Sequence, residues 1–384
     1  LWSKIAHGID KEQEIRFPIG AGIAGMVAHS GETIFIDNAY KDPRFNQEID
    51  KITGYRTSSI LCAQLVNFEG KIVGVVEALN KFGDNPFTSE DASIISAMGI
   101  YASAAIENVL HHEEIRRLFD GFIKASVVAI ESRDPTTSGH SERVAKLCVA
   151  LAEEVNAIDA GTYKNVFFTT QSLKEIRYSA LLHDFGKVGV REPVLIKAKK
   201  LYPQDLELLS CRLTLIQQNL LFRKEMANRA KDKQYFEQEL NKLLKWKELI
   251  LQYNEPSVLE SGGLDRLEEM LNVSYTDVTG STIPLLTNAE YANLTIRKGS
   301  LNSNERKEIE DHVVHTYRFL SQIPWTSELK NVPDISYGHH EKLDGSGYPN
   351  GVKSNEIRPQ TRIMTIADIY DALTARDRPY KKAI

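Results

Sequence analysis

HHEKLDGSGYP, residues 339–349, sets two imidazoles side by side, follows them with a glutamate and an aspartate, and ends in a stiff turn of two glycines and a proline. Working outward from it, similar groups recur beside apolar helical runs. His183-Asp184 closes SALLHD just before Gly186-Lys187, and His140 follows Ser138-Gly139 at a helix start. His312 follows the helical run ERKEIED, and Asp368 lies in TRIMTIADIYDAL. Any one of these histidines is most simply a satisfied core residue. Five of the ten, arranged in this way, form a set that a core does not explain.

Imidazole and carboxylate without thiolate suit iron, manganese or another first-row ion, in contrast to a structural zinc site. Asp184 has two oxygens and could bridge two ions. Two ions about 3.5–4 Å apart would activate a water and hold a phosphate in line. Lys187, one helical turn from His183, would neutralise phosphate charge.

The bulk composition narrows the setting. Net charge is −5, with no basic bias toward a nucleic acid polymer. Cys62, Cys148 and Cys211 are scattered, which rules out a cysteine-based zinc site and fits a reducing compartment. The opening LWSKIAHGIDKEQE carries no signal-peptide pattern, and no apolar run approaches the roughly 20 residues of a membrane helix. A cytoplasmic segment with no membrane contact is therefore expected.

The first hundred residues alternate short apolar runs with turns, and Phe68-Glu69-Gly70-Lys71 reads as a hairpin turn in a small antiparallel sheet. Thr88 or Ser89 caps a helix running from Asp91 to about Ser132, long enough to join two domains and to pair with its twin in a homodimer. From Ser141 the chain reads as helical almost throughout. Leu206, Leu209, Leu213, Ile216 and Leu220 step by threes and fours, Phe236, Leu240, Leu243 and Ile250 approximate the same seam, and RAKDKQ lies between. That pattern predicts an antiparallel helical hairpin over about 202–256 with no catalytic residue. VLIKAKKL (194–201) and LTIRKGSL (294–301) echo each other, so an inserted block, about 202–293, displaces one functional segment.

HDFGK at 183–187, the 339–349 stretch, ADIYDALTARDRPYKK and GHSERVA at 139–145 together resemble the HD-GYP family of metal-dependent phosphodiesterases. The resemblance runs from about residue 120 to the end, apart from the inserted block. It implies an all-α domain that opens cyclic di-GMP to pGpG, and sometimes on to GMP, with two divalent ions. One ion would take His140, His183, Asp184 and Asp368, and the other Asp184 again, His312, His339 and His340. Asp184 and Lys187 would be catalytic, with Lys187 on the phosphate side. Gly347, Tyr348 and Pro349 would shape the nucleotide pocket, and Arg378 and Lys381 would grip phosphates. Thr136 stands where some members place a glutamate for a third metal, so a two-metal centre is implied. ALTARDRPY has one residue more than the family's common form. The family normally continues past the position of Ile384, so a longer protein is expected. A different cyclic dinucleotide, such as cyclic GMP-AMP, is the alternative substrate, and a non-catalytic nucleotide-sensing module is the alternative class.

The N-terminal part, from GAGIAGMVAHSGETIFIDNAYKDPRF through ALNKFGDNPFTSEDA, resembles a GAF sensor domain, an α+β fold, with its first strands expected upstream. Asn80, Lys81, Phe87 and Asp91 partly match the NKFDE motif of cyclic-nucleotide-binding members, with Ala92 in place of its final glutamate. Lys81 and Asp91 read as a structural ion pair, and a small-molecule ligand stays open. The G-x-G-x-x-G of Gly20, Gly22 and Gly25 follows a polar run instead of a buried parallel strand, so it is no dinucleotide fingerprint. The expected organisation is a GAF domain over 1–108, a connecting helix over 109–132 and a phosphodiesterase domain over 133–384.

Overall fold

The structure, a computed structural model, describes residues 2–3, 15–16, 18–83, 85–133, 138–256, 262–277 and 279–375. The chain divides into two units, Leu1–Gly121 and Phe122–Ile384. Thr136, Arg378 and Lys381 lie outside the described residues.

In the first unit the elements are β1 (Trp2–Ser3), β2 (Ile15–Arg16), α1 (Gly22–Ser30), β3 (Ile34–Ile36), α2 (Gln47–Thr53), β4 (Ile60–Val66), β5 (Ile72–Leu79) and the start of α3 (Ser89–Glu131). β3, β4 and β5 form an antiparallel sheet in that order, and β1 pairs antiparallel with β2. The β4–β5 turn falls at Phe68-Glu69-Gly70-Lys71, as the sequence predicts. Gly70 has a φ of 80°, and the Asn67 carboxamide accepts from the backbone of Glu69 and Lys71. Ile23, Val27, Ile36, Ala39, Ile60 and Cys62 form the core between α1 and the sheet. Among the described residues, no βαβ unit surrounds the three glycines at 20, 22 and 25. Lys81 Nζ meets Asp91 Oδ2 at 2.5 Å, and the Asn80 carboxamide oxygen accepts from Ser58. Lys81 and Asp91 thus pair with each other, and Asn80 ties the end of β5 to the segment before β4.

One expectation needs correction. α3 contains an 18-residue window of mean hydropathy 1.3, only 11% buried, so among the described residues one helix is long and apolar enough to cross a membrane by length and composition. The sequence hides it because small residues and single polar ones interrupt every apolar run. One face of that window packs on the sheet: Ser103 Oγ donates to the Val66 carbonyl at 2.8 Å, and a Cβ on Gly99 would meet Leu65 Cδ2 at 2.9 Å. A helix bound along one side to its own sheet is not surrounded by lipid there.

The second unit is mostly helical: α4 (His140–Asn156), α5 (Thr170–Leu182), a 3-10 turn (Phe185–Gly189), α6 (Glu192–Leu195), α7 (Pro203–Met226), α8 (Ala230–Tyr253), α9 (Gly263–Leu271), β6 (Ser274–Thr276), β7 (Thr282–Pro284), α10 (Asn288–Leu294), α11 (Ser303–Glu310), α12 (His312–Leu320), α13 (Val332–Tyr337) and α14 (Pro359–Thr374). α7 and α8 make the expected hairpin, with Leu209, Leu213, Ile216 and Leu220 facing Leu243, Trp246, Ile250 and Tyr253. The inserted block is not all helix, since β6 and β7 pair within it. Its core extends from Leu201 to Leu294, so the block folds around its own apolar centre.

The two echoing segments lie side by side where this block leaves and rejoins the chain. The fully buried Lys200 donates to the Leu294 carbonyl, and Ser300 donates to the Lys197 carbonyl. Lys197 is neutralised by Glu305 at 2.8 Å. Burying two lysines is tolerable only because each ammonium finds such a partner.

Candidate metal centre

Every predicted ligand sits at a helix end or on the one helix that faces those ends. His140 opens α4, His183-Asp184 closes α5, His312 opens α12, His339-His340 follows α13, and Asp368 lies within α14. Three of the rings are aimed by the same device. The Nδ1–H of His183, His312 and His339 donates to the carbonyl three residues back, those of Ala180, Ile309 and Ser336, at 2.7, 2.6 and 2.6 Å. That bond fixes the tautomer and leaves each Nε2 as a bare lone pair pointing inward.

The bare nitrogens converge. His312 Nε2 and His339 Nε2 lie 3.4 Å apart, a distance at which two lone pairs repel unless a cation or proton lies between them. His183 Nε2 is buried with no hydrogen-bond partner. A buried polar atom without a partner is costly, and bare nitrogens set this close to one another and to carboxylates fit a metal site. Among the described residues, ligand atoms within 4.8 Å of one another form three overlapping groups: His140, His183 and Asp184; His312, His339 and His340; and His183, His339 and Asp368. The first lacks only Asp368 from the first expected half-site, and the second lacks only Asp184 from the other. The third crosses them, so all seven expected ligands form one continuous site.

Asp184 stands between the halves. Its Oδ2 faces His183 Nε2 at 3.5 Å and His140 Nε2 at 4.0 Å, and its Oδ1 faces His312 Nε2 at 3.4 Å. Asp368 Oδ1 lies 3.2 Å from His140 Nε2. Burial opposes ionisation of Asp184, but the positive charge of Lys187 beside it outweighs that cost and holds the carboxyl well below its usual range. Burial also pushes His340 down to about 4, and lowers His312 and His339. Near neutral pH the site therefore offers ionised carboxylates and neutral imidazoles at these positions, the states a metal requires.

Lys187 sits in the 3-10 turn, where its amide donates to the Asp184 carbonyl and its ammonium lies 2.7 Å from Asp184 Oδ2. Its charge falls on the carboxylate shared by both halves. Tyr348 lies beside His340, with ring centroids 4.7 Å apart, and its amide donates to the His340 carbonyl. Gly347 is required there, because a Cβ would meet Lys342 N at 2.4 Å and His340 O at 2.6 Å. Pro349 follows through a cis peptide bond.

Several supporting residues escape a sequence reading. Asp371 accepts from His140 Nδ1 at 2.8 Å and is gripped by Arg143 Nε and Nη2 at 2.7 and 3.0 Å. Glu341, 3% exposed, accepts from the amides of Asn350 and Val352 and so ties the loop carrying Tyr348 to the second half-site. Thr316 Oγ1 accepts from Gly186 N and donates to the His183 carbonyl. The available signals were Asp371 three residues after Asp368 on one helical face and Glu341 directly after the histidine pair.

Replacing Asp371 by Asn keeps an oxygen for His140 but removes the charge, and turns an NH2 group toward Arg143. Metal affinity is expected to fall by roughly 10–100-fold, as seen when an outer partner of a ligating histidine is lost. Metal titration of the purified variant checks this; an unchanged affinity would show that Asp371 does not orient His140.

Comparison with known proteins agrees with the division of the chain. Residues 5–107 match the GAF domain model, and residues 137–259 and 287–384 each match an HD domain model. The chain is thus a GAF domain followed by a mostly helical HD domain, and the candidate ligands come from both HD segments. Over 108 residues it is 41% identical to a dual 3',5'-cyclic-AMP and -GMP phosphodiesterase 11A of Takifugu rubripes, covering 28% of this chain and 12% of that protein. A probable 3',5'-cyclic phosphodiesterase of Caenorhabditis elegans is 41% identical over 106 residues, 28% of this chain and 14% of that one. A cGMP-specific 3',5'-cyclic phosphodiesterase of Drosophila melanogaster is 45% identical over 97 residues, 25% and 9%. The chain spans a small part of each relative, and each alignment is too short to cover the GAF and HD segments together.

Proposed function

We propose that the HD unit is a metal-dependent phosphodiesterase acting on a cyclic dinucleotide, cyclic di-GMP, under control of the GAF unit. The observation that carries this is the convergence of bare, buried imidazole nitrogens on both sides of Asp184. His140, His183, Asp184 and Asp368 would hold one divalent ion, and Asp184, His312, His339 and His340 the other. Iron or manganese, when bound, supplies Lewis acidity toward a phosphodiester and lowers the pKa of a water.

The remaining roles belong to the chain. Asp184 holds both half-sites in register, and Lys187 places positive charge where a phosphate would build up negative charge. Tyr348, stiffened by Gly347 and Pro349 and tied down through Glu341, offers an aromatic edge to a guanine or ribose beside His340. Arg378 and Lys381 are assigned to phosphate binding by the family pattern alone. The intact ligand set argues against a non-catalytic sensing module.

The relatives' names favour a second reading, hydrolysis of cyclic AMP or cyclic GMP. A turnover assay with protein purified without oxygen distinguishes them, using cyclic di-GMP, cyclic GMP-AMP, cyclic AMP and cyclic GMP. Cyclic di-GMP is expected to turn over at least about tenfold faster than either mononucleotide. Chelation should abolish turnover and iron or manganese restore it, with about two ions per chain by elemental analysis. Faster cleavage of a mononucleotide, or a clear third ion, would overturn this reading.

The GAF unit would act through α3, which leaves the sheet and ends shortly before His140. Ile94, Met98 and Tyr101, and further on Ile115, Leu118 and Phe122, are more than half exposed on α3, and the chain is expected to pair with its twin along it. A small rotation of α3 that shifts a ligand requires a bias of only a few kcal/mol between two arrangements. Inserting one to four alanines near His111-His112 steps the helix by about 100° per residue. Turnover should follow the phase of the insertion and partly recover near a full turn. Uniform turnover across the series would reduce α3 to a tether.

A further inference from the structure

The end of α3 is bonded to two parts of the metal centre, through two charged residues that stand outside the ligand set. Ile123, Val127 and Ile130 are buried, so the last turns of the helix are seated in the HD unit. The chain stays coiled just past Glu131, where the amides of Ser132 and Arg133 donate to the Val128 and Ile130 carbonyls. Glu131 accepts from the amide of Gly139 through Oε2 at 2.8 Å and from the amide of Ser141 through Oε1 at 3.2 Å. Those two amides flank His140 in the chain. α4 has no capping side chain of its own, and its N-cap Gly139 has a φ of 67°. A carboxylate from another helix meets its first amides instead, at the end where the helix dipole favours negative charge. Arg133 does the converse. Its Nη1 and Nη2 donate to the carbonyls of Val188 and Val190, at the C-terminal end of the 3-10 turn that carries Lys187. All four partners are backbone atoms, so each bond places a stretch of chain and not one side chain.

We propose that Glu131 and Arg133 are positioning residues, a two-pronged clamp by which the end of α3 sets His140 in the first half-site and Lys187 beside Asp184. The inference rests on the metal-dependent reading of the HD unit, and it gives the control assigned to α3 its points of contact. Glu131 has both oxygens engaged and Arg133 has two bonds, so the clamp has little slack. A shift of about 1 Å along these bonds would carry them to the limit of hydrogen bonding or past it. Glu131 and Arg133 sit two residues apart, so one movement of the helix end loads both prongs together.

Metal titration of the full chain tests the first prong without any substrate. Glu131→Ala should weaken one ion by about tenfold or more and leave the other unchanged, as loss of an outer partner of a ligating histidine does. Glu131→Gln keeps an acceptor and should fall between. Thr287→Ala is the control for lost stability, because it removes a cap from α10 in the inserted block, where Thr287 accepts from the Glu290 amide. It should leave both ions bound. Arg133→Met tests the second prong: both ions should stay, and kcat should fall about tenfold with KM unchanged. In a Lys187→Ala background the same change should cost nothing further, since the two residues act as one unit. Parent affinity for both ions in Glu131→Ala, or an equal loss in Thr287→Ala, would overturn the clamp. So would parent turnover in Arg133→Met, or its full cost on top of Lys187→Ala. Failure of the catalytic reading would look different: two ions bound by the parent protein and no nucleotide cleaved.

Discussion

Replacing Asp184 by Ala is expected to take the metal content from about two ions per chain to near zero in one step. The expectation follows from where its oxygens point. Oδ2 faces His183 and His140, and Oδ1 faces His312, so each proposed half-site has one oxygen from this carboxylate. Removing it also takes away the carboxylate 2.7 Å from Lys187 and leaves a net gain of one positive charge beside the inward-facing nitrogens. Both effects disfavour a dication. Losing one ligand of several costs a site affinity, but losing the ligand that also faces a half-buried lysine costs more. Asp368→Ala is the contrast. Asp368 belongs to the first half-site in the proposed assignment, and that variant should keep one ion. Elemental analysis of the two proteins, purified alike, gives the answer. One ion retained in Asp184→Ala would mean that the carboxylate does not bridge.

The parts of this site that were legible in the sequence were those with a local signature. His183-Asp184 and His339-His340 are adjacent pairs, and adjacency at a helix end is a pattern a linear reading can see. The α7–α8 hairpin was legible for the same reason, because its seam repeats every three or four residues. Asp371 was not: its bonds to His140 and Arg143 close over 231 and 228 residues, and nothing near Asp371 announces a partner that distant. Glu341 was passed over although it stands inside the quoted stretch, because its role appears only once the loop folds back to present Asn350 and Val352.

The β6–β7 pair was missed in a region that reads as helix, since strands of three residues are too short to show alternation. The turn between them was the available clue. Asp277 accepts from the amides of Thr279 and Ser281, a local bond for which an Asp-x-Thr-Gly run is suited. The apolar side of α3 was underestimated because its small residues dilute any single run, although the helix buries little of it.

Gly186→Ala is expected to be the most damaging single-methyl change in the HD unit. A Cβ at Gly186 would stand 1.8 Å from the His312 carbonyl oxygen and 2.4 Å from Thr316 N. Both are backbone atoms of α12 or its first turn, so no rotamer change relieves the clash, and the helix must retreat by more than an ångström. Gly186 has no left-handed backbone to explain it, and its requirement is closeness alone. Retreat would pull Thr316 away from Gly186 N and the His183 carbonyl, and part the stacked rings of Phe185 and Phe319 at 3.7 Å. Overpacking of this severity costs about 3 kcal/mol or more. At roughly 2–4 °C per kcal/mol for a unit of this size, the unfolding midpoint should drop by about 6–12 °C. His312 moves with α12, so the second ion should be lost before the first. Gly121→Ala is the control: it lies within α3 with nothing within 4 Å of its Cβ, and should gain up to about 1 kcal/mol. A Gly186→Ala protein that melts like its parent and keeps both ions would mean that α12 does not approach this closely, and His312 would then lose the position that makes it a ligand.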